Sequence, residues 1–249
     1  MTATVIIPTT GSPELRGAIE SVLKQNYLTD CYVVCDGKQY EGKVSAIVSD
    51  YLGNSNLKVS YLPDNVGANG FYGHRVYAAF THLVNTDYVL YLDQDNWLDE
   101  HHVLSCVETI QNNNLDWCYS LRNIYEGDTF VCQDNCESLG KWKTYHGHNH
   151  VDTNSYCIST KIAVRLASVW HGGWGQDRVF LSAIAQHFPR YDCTKRYSVN
   201  YRVAGNQGSV TKDFFINGNK VMNEKYNGEF PWKIKTSSSA PLRTTITIN

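Results

Sequence analysis

The chain has 249 residues, 42% of them hydrophobic and 18% charged, a balance that suits a globular domain with a real core and excludes a disordered or fibrous chain. Its 22 basic and 24 acidic residues leave a net charge of −2, without the basic surplus that nucleic-acid binding wants. No apolar run approaches the ~18 residues of a transmembrane span, and the first residues read as a strand rather than a signal peptide. A cytoplasmic location is expected, with peripheral membrane attachment left open, and the cysteines are expected as free thiols.

Val5-Ile6-Ile7 predicts a first strand stopped by Pro8, followed by a polar turn over Thr9 to Ser12. Ser12 is placed to cap a helix that carries Leu15, Ala18, Ile19, Val22 and Leu23 at helical spacing. Cys31 to Cys35 predicts a second buried strand, ending at Asp36-Gly37. Residues 43–52 read as a helix with Val44, Ile47, Val48 and Tyr51 on one face, and Leu57 to Leu62 as a third strand. A loop over 63–70 contains Gly67 and Gly70. The next helix is expected from Phe71 to Val84, burying Phe71, Val76, Ala79, Phe80 and Leu83. Tyr88 to Leu92 is a fourth strand, which runs without a spacer into Asp93, Gln94 and Asp95.

This alternation predicts an α/β fold, a parallel sheet covered by helices on both faces. In such sheets ligands bind beyond the carboxyl ends of the strands. Thr9, Asp36, the 63–70 loop and the Asp93/Asp95 pair all arrive at that edge.

The second half is less regular. A helix is expected over 99–113, with Asp99 and Glu100 at its start, then a strand over 116–125 and a polar, aromatic excursion over 126–150. A strand-like end to 151–160, a helix over 161–169, a glycine-rich loop over 171–177, a helix over 177–187 and strand character over 191–204 follow. Beyond 204 come glycine, asparagine and scattered aromatics. The tail from Ser237 alternates Thr and Ile, as an edge strand, a partner-binding arm or a disordered segment would.

Alternate strand residues face the same way, so Asp93 and Asp95 can aim at one spot. Two hard oxygen donors there suit Mg²⁺ or Mn²⁺, which keep positions open for phosphate. The plainer reading is a pair of acids that solvates a loop. His146, His148, His150 and Asp152 alternate as well, with Cys132 and Cys136 nearby, and form a rival signal for structural zinc. The cysteine spacing is not that of a tight zinc knuckle. The other use for this segment is to line a pocket, with one histidine completing the metal site.

Taken together, several segments resemble a GT-A glycosyltransferase of the family 2 type. They are Val5 to Thr9 with Ser21 to Tyr27, Val33 to Gly37, Asn65 to Gly67 with Gly70 and Arg75, Leu92 to Asn96, and Gly172 to Asp177. The likeness spans about residues 4–190 and thins between 126 and 150. It implies a GT-A fold with a mostly parallel central sheet and helices on both faces. Residues 1–204 would form the catalytic domain, 1–98 the nucleotide-binding half and 99–204 the acceptor-binding half. Residues 205–249 would be a C-terminal extension, mobile or partner-binding.

The implied activity is metal-dependent transfer of a sugar from a UDP- or GDP-sugar to a hydroxyl of a glycan or glycoconjugate. Pro8, Thr9, Thr10, Asp36, Asn65, Gly67, Arg75, Asp93 and Gln94 would hold the donor. Asp95 would bind Mn²⁺ or Mg²⁺ directly, with Asp93 beside it and His150 as a further candidate ligand. Asp177 would be the base, with inversion at the anomeric carbon, and Trp174, Gly173, His148 and Asp152 would meet the acceptor. Asp152 is also a second candidate for a carboxylate near the reacting carbon. Each has a plainer use: Asp36 as a turn residue, Arg75 as a solvated helix residue, Trp174 as core, Asp177 as a helix cap.

Three features depart from the family pattern. Gln176-Asp177 stands where an acidic pair is common, no late histidine ligand follows residue 190, and the family does not require the His146–Asp152 segment. Two other functions are weighed. A sugar-nucleotide nucleotidyltransferase would want a basic loop after the first strand, and Pro8 to Pro13 has no Lys or Arg. The other is a non-catalytic carbohydrate-binding protein with a structural zinc site.

Overall fold

All seven residues of β1 (Ala3–Thr9) are buried, which puts this strand inside a sheet rather than at its edge. The computed structural model that shows this describes residues 1–203 and 210–234. Strands β2 (Thr29–Cys35) and β4 (Tyr88–Tyr91) flank β1 in parallel register, Ile6 standing opposite Tyr32 on one side and Tyr91 on the other. β3 (Leu57–Tyr61) extends the sheet beyond β2. The helices between them are α1 (Leu15–Leu23), α2 (Glu41–Val48) and α3 (His74–Phe80). The chain thus builds outward from β1 to β3, then returns to lay β4 on the far side of β1. That reversal opens a crevice at the carboxyl ends of β1 and β4.

The second half supplies β5 (Trp97–Leu98), α4 (His102–Asn112), β6 (Trp117–Glu126), β7 (Thr129–Gln133), β8 (Tyr156–Ser159), α5 (Thr160–Leu166), α6 (Gln176–His187), β9 (Tyr191–Val203) and α7 (Lys212–Lys225). The sheet order is β3-β2-β1-β4-β8-β6-β9-β5, with β7 paired to β6. β8 lies antiparallel between β4 and β6, while β6 and β9 run parallel. The sheet is therefore parallel through its first half and mixed in its second.

Helices cover both faces. Val5, Ile7, Ile19, Val22, Val103 and Val107 belong to one core. Ile6, Tyr77, Tyr91, Trp117, Trp170 and Phe180 belong to the other. In the latter the rings of Trp170 and Phe180 stack with centroids 4.0 Å apart.

Several boundaries differ from the sequence reading. Ser12 does not cap α1 with its side chain. Its carbonyl accepts from Leu15 N, and its hydroxyl bonds the Glu14 carboxylate instead. The helix expected from Phe71 begins only at His74. Residues 67–72 close a tight turn in which Phe71 N and Tyr72 N both donate to the Gly67 carbonyl, with Asn69 and Tyr72 in left-handed backbone. The shortened helix presents a different face, so Tyr77 is buried while Ala79 and Leu83 are exposed. At the start of α4, Asp99 forms no side-chain cap; its Oδ1 accepts from Asn200 Nδ2 at 2.8 Å.

The excursion over 126–150 contains β7, and residues 134–140 are buried. Within 205–249, a stretch read as irregular holds α7. Asn217, Gly218 and Asn219 lower its intrinsic helix preference, but Phe215 and Met222 sink into the larger core with Trp232. Gly218 permits the contact, since a Cβ there would lie 2.7 Å from Cys136 Sγ. The tail expected from Ser237 onward lies outside the described residues. Among the described residues no helix is long and apolar enough to cross a membrane.

Candidate active site

A cleft of about 660 Å³ occupies the crevice. Its wall brings together Pro8, Thr9 and Thr10 from β1, Asp36 after β2, Asn65 and Gly67, and Asp93, Gln94 and Asp95 after β4. His150, Asp152, Trp174 and Asp177 reach it from the second half of the chain. Arg75, Gly173 and His148 do not line it.

On the β1 side, Gln94 organises the loop. Its Oε1 accepts from Thr9 Oγ1 (2.7 Å), Thr10 N (3.1 Å) and Ser12 N (3.2 Å). The Thr9 hydroxyl also accepts from Gly11 N at 2.9 Å. Thr9 and Gln94 therefore build the floor of the cleft with the groups the sequence reading assigned to a nucleotide. Asp36 receives Val66 N and Gly67 N, one on each carboxylate oxygen, both at 2.8 Å. Burial pushes its pKa up while these two N–H groups hold it down, with a net rise. Gly67 has no substitute here: a Cβ would lie 2.0 Å from the Tyr72 carbonyl oxygen and 2.7 Å from Asp36 Oδ2. Asn65 Nδ2 lies 3.5 Å from the Tyr40 hydroxyl, which holds it only loosely. Arg75 folds back over Phe71, its guanidinium carbon 3.3 Å from the ring centroid.

The two strand-end aspartates sit in different surroundings. Asp93 accepts from the Tyr77 hydroxyl and from Asn154 Nδ2, each at 2.9 Å, and its N–H donates to Asn154 Oδ1 at 2.6 Å. These donors fix it in place. Asp95 is pushed up to about 7, first by burial and then by the neighbouring Asp93 charge. A half-buried like-charged carboxylate pair with oxygen donors fits a hard divalent cation, which would relieve both penalties.

Opposite lies a buried chain of charges. Asp177 stands in the first turn of α6, after the left-handed Gly175. It is not the helix cap. Its Oδ1 accepts from Arg178 N at 2.8 Å, and its Oδ2 lies 2.6 Å from His150 Nε2. His150 Nδ1 is 3.0 Å from Glu137 Oε1, though off the hydrogen-bonding direction. Burial disfavours charge on this imidazole, but Glu137 and Asp177 override it and raise its pKa to about 10. Burial in turn raises Asp177, but the His150 contact and the Arg178 N–H together outweigh it, for a net fall.

Arg122 gathers the remaining carboxylates. It donates to Glu137 Oε2 (2.5 Å), to Asp134 Oδ2 (2.8 and 3.0 Å) and to Asp152 Oδ2 (2.6 Å). Asp152 Oδ1 then accepts from Asn154, the same residue that holds Asp93.

These contacts bear on two expected roles. Both His150 nitrogens face carboxylates, and a charged imidazole has no lone pair to give a metal. Asp152 is tied to Arg122 through Oδ2 while still bordering the cleft. His146 and His148 stack with ring centroids 6.2 Å apart, and Cys136 Sγ points to Asp134 Oδ1 and the Phe215 carbonyl. The zinc site considered for this segment is not assembled. Among the described residues, three His, Cys or acidic side chains able to hold a metal converge at one other place, Cys106, Cys118 and Cys157.

At the mouth, Trp174 is 76% exposed and so is not a core residue. The Arg178 guanidinium sits 5.2 Å from its ring centroid. Gly173 packs against the 67–72 turn, where a Cβ would lie 2.9 Å from the Gly70 carbonyl oxygen. The sequence reading overlooked Arg122, Glu137, Asn154, Tyr77, Arg178 and Arg202, the last of which lines the cleft and donates to the Asp95 carbonyl at 2.9 Å. Arg122 left a signal, a lone charge in the middle of the apolar strand Trp117 to Tyr125; Asn154 left none.

The model of the family described as glycosyl transferase family 2 matches residues 4–173. No curated protein matches in sequence. Among solved structures, S. aureus TarS 1–349 is similar at 17% identity and a TM-score of 0.65, over 81% of this chain and 60% of that one. TarS 1–349 in complex with UDP-GlcNAc gives 16% and 0.64, over 92% and 68%. A mannosyltransferase from Pyrobaculum calidifontis in complex with GDP-Man and Mn²⁺ gives 13% and 0.56, over 83% and 58%. At these identities the likeness is one of fold. The chain spans about 60% of the length of TarS 1–349 in the first of these matches.

Proposed function

The chain belongs to glycosyl transferase family 2 and has the GT-A fold, and from that premise we propose that it moves a sugar from a UDP- or GDP-sugar to a hydroxyl of a glycan or glycoconjugate. The observation that carries this reading is one cleft with Asp93 and Asp95 on one wall and the ionised Asp177 on another. The UDP-GlcNAc and GDP-Man complexes of the similar structures support a nucleotide-sugar donor.

Asp95, with Asp93 beside it, would hold Mn²⁺ or Mg²⁺. When bound, such an ion supplies a Lewis acid for the departing diphosphate. Asp36 and the Val66–Gly67 backbone define the far end of the donor cleft, where a base would sit. Asp177 takes the acceptor proton. Its pairing with the charged His150 keeps it ionised at neutral pH, and the first turn of α6 favours a negative charge there. A base set opposite the leaving group inverts the anomeric carbon. Trp174, with Arg178 across its face, offers an aromatic platform to an acceptor sugar.

The test is nucleotide release across a panel of UDP- and GDP-sugars, with and without Mn²⁺, alongside nucleotide binding with and without the ion. Metal-dependent binding and release for one nucleotide class is expected. Binding indifferent to metal and no release from any donor would defeat the reading.

A further inference from the structure

We propose that Cys106, Cys118 and Cys157, with His102, form a structural zinc site inside the core. The inference is independent of the chemistry in the cleft, since none of the four residues lines it.

The three sulfurs lie within 4.8 Å of one another and all three residues are fully buried. They come from three separate elements. Cys118 on β6 and Cys157 on β8 are direct partners in the antiparallel ladder, so their side chains leave the sheet on the same face. Cys106 meets them from α4. One helical turn earlier on α4, His102 is also fully buried, with Nε2 3.9 Å from Cys106 Sγ. Its Nδ1 lies 2.8 Å from Ser198 Oγ. A proton on Nδ1, donated to that hydroxyl, leaves the Nε2 lone pair facing the Cys106 thiol, which is how an outer partner prepares a metal-binding histidine.

Burial as small apolar side chains accounts for each cysteine singly. It does not account for an imidazole in the core whose inner nitrogen has a thiol as its only hydrogen-bond partner among the described residues. Three sulfurs and one imidazole are a donor set for zinc rather than for the oxygen-seeking ions suited to Asp93 and Asp95. Zinc–sulfur bonds of ~2.3 Å in a tetrahedron set sulfurs ~3.8 Å apart, so the observed cluster needs a small contraction and a swing of the His102 ring. On binding, the three thiols lose their protons to solvent and the imidazole binds neutral. The complex then carries one net negative charge spread over polarisable sulfurs. Because every donor is buried, the ion would be taken up as the chain folds.

The full chain, expressed with added zinc and then treated with EDTA, should retain about one zinc per chain by elemental analysis, the stoichiometry of a closed structural site. Refolding with Co²⁺ in place of zinc should give the thiolate-to-cobalt charge-transfer band and the intense visible bands of a tetrahedral site. Cys157→Ala and His102→Ala should lower the retained zinc, and Asp95→Asn should leave it unchanged. Should a variant fail to fold, the parent's zinc content and cobalt spectrum decide alone. Parent protein without zinc and without the cobalt band, or an intact mass two hydrogens short from a Cys118–Cys157 disulfide, would overturn the proposal.

Discussion

Oδ2 of Asp177 lies 2.6 Å from Nε2 of His150, and through that contact the expected base joins a buried chain that ends at Asp93. The chain passes from His150 to Glu137, to Arg122, to Asp152, to Asn154 and so to Asp93. Charges this deep are tolerable only when paired and hydrogen-bonded. The Asp177 wall and the Asp93 wall of the cleft are therefore parts of one electrostatic unit.

Asp177→Asn keeps the size and the helix turn but removes the base. Transfer should slow by ~10²-fold or more, the usual scale for a lost general base, while nucleotide affinity holds. Steady-state rates alongside calorimetric titration of UDP and GDP check it; an unaltered rate would move the base elsewhere.

His150→Gln removes the charge that lowers the Asp177 pKa and leaves the burial that raises it. The acidic limb of the rate profile should move to higher pH, so activity is lost sooner on acidification. Stability should respond in the opposite direction. The His150 pKa rises from 6.5 unfolded to about 10 folded. Its contribution is thus complete below 6.5 and fades as pH climbs through 10. The gap in unfolding free energy between parent and variant should shrink over that window. A pH-independent gap would mean His150 is not charged in the folded protein.

Asp95 has the reverse logic of an ordinary paired carboxylate. Its pKa rises from 3.8 to about 7 on folding, so its share of stability is present below 3.8 and lost as pH passes 7. Asp95→Asn should therefore raise the metal-free Tm at pH 8 while abolishing transfer. Differential scanning calorimetry and a transfer assay measure the two halves, and a lowered Tm would contradict the repulsion described.

Asp36→Ala should weaken nucleotide binding by ~1–3 kcal/mol, the cost of losing a charged partner and stranding donors. The stranded donors are Val66 N and Gly67 N. Equal affinities for parent and variant by titration calorimetry would reduce Asp36 to a loop fastener.

Arg122→Met leaves Asp134, Glu137 and Asp152 buried without their common cation. Breaking a buried pair in this way costs ~3–5 kcal/mol. Urea denaturation at pH 7 should register that loss; a variant as stable as the parent would show the cage to be dispensable.

The first half of the chain was legible because its signals are local. Apolar strands give way to polar residues at Thr9, Asp36 and Asp93, although β1 runs through Pro8 rather than stopping there, and glycines mark the turns, so the sheet edge could be drawn from periodicity. The α3 start was missed because a turn held by the Gly67 carbonyl, with Tyr72 in left-handed backbone, leaves no simple pattern. Helix α7 was missed because its stability comes from Phe215, Met222 and Trp232 entering a core built elsewhere. The charge chain was illegible for a similar reason: Arg122, Glu137, His150 and Asp152 meet only after β6, β8 and α6 are packed. Spacing suggested that His146, His148 and His150 act together, whereas tertiary contacts separate His150 from the other two.

The grip of the Gln94 side chain on Thr9, Thr10 and Ser12 fastens the fourth strand's end to the first loop as a single rigid jaw. A donor seated there finds its wall already set. Any hinge that admits or discharges cargo would then fall to the opposing lip, around Gly172 to Arg178, where glycines and the exposed Trp174 indole border solvent.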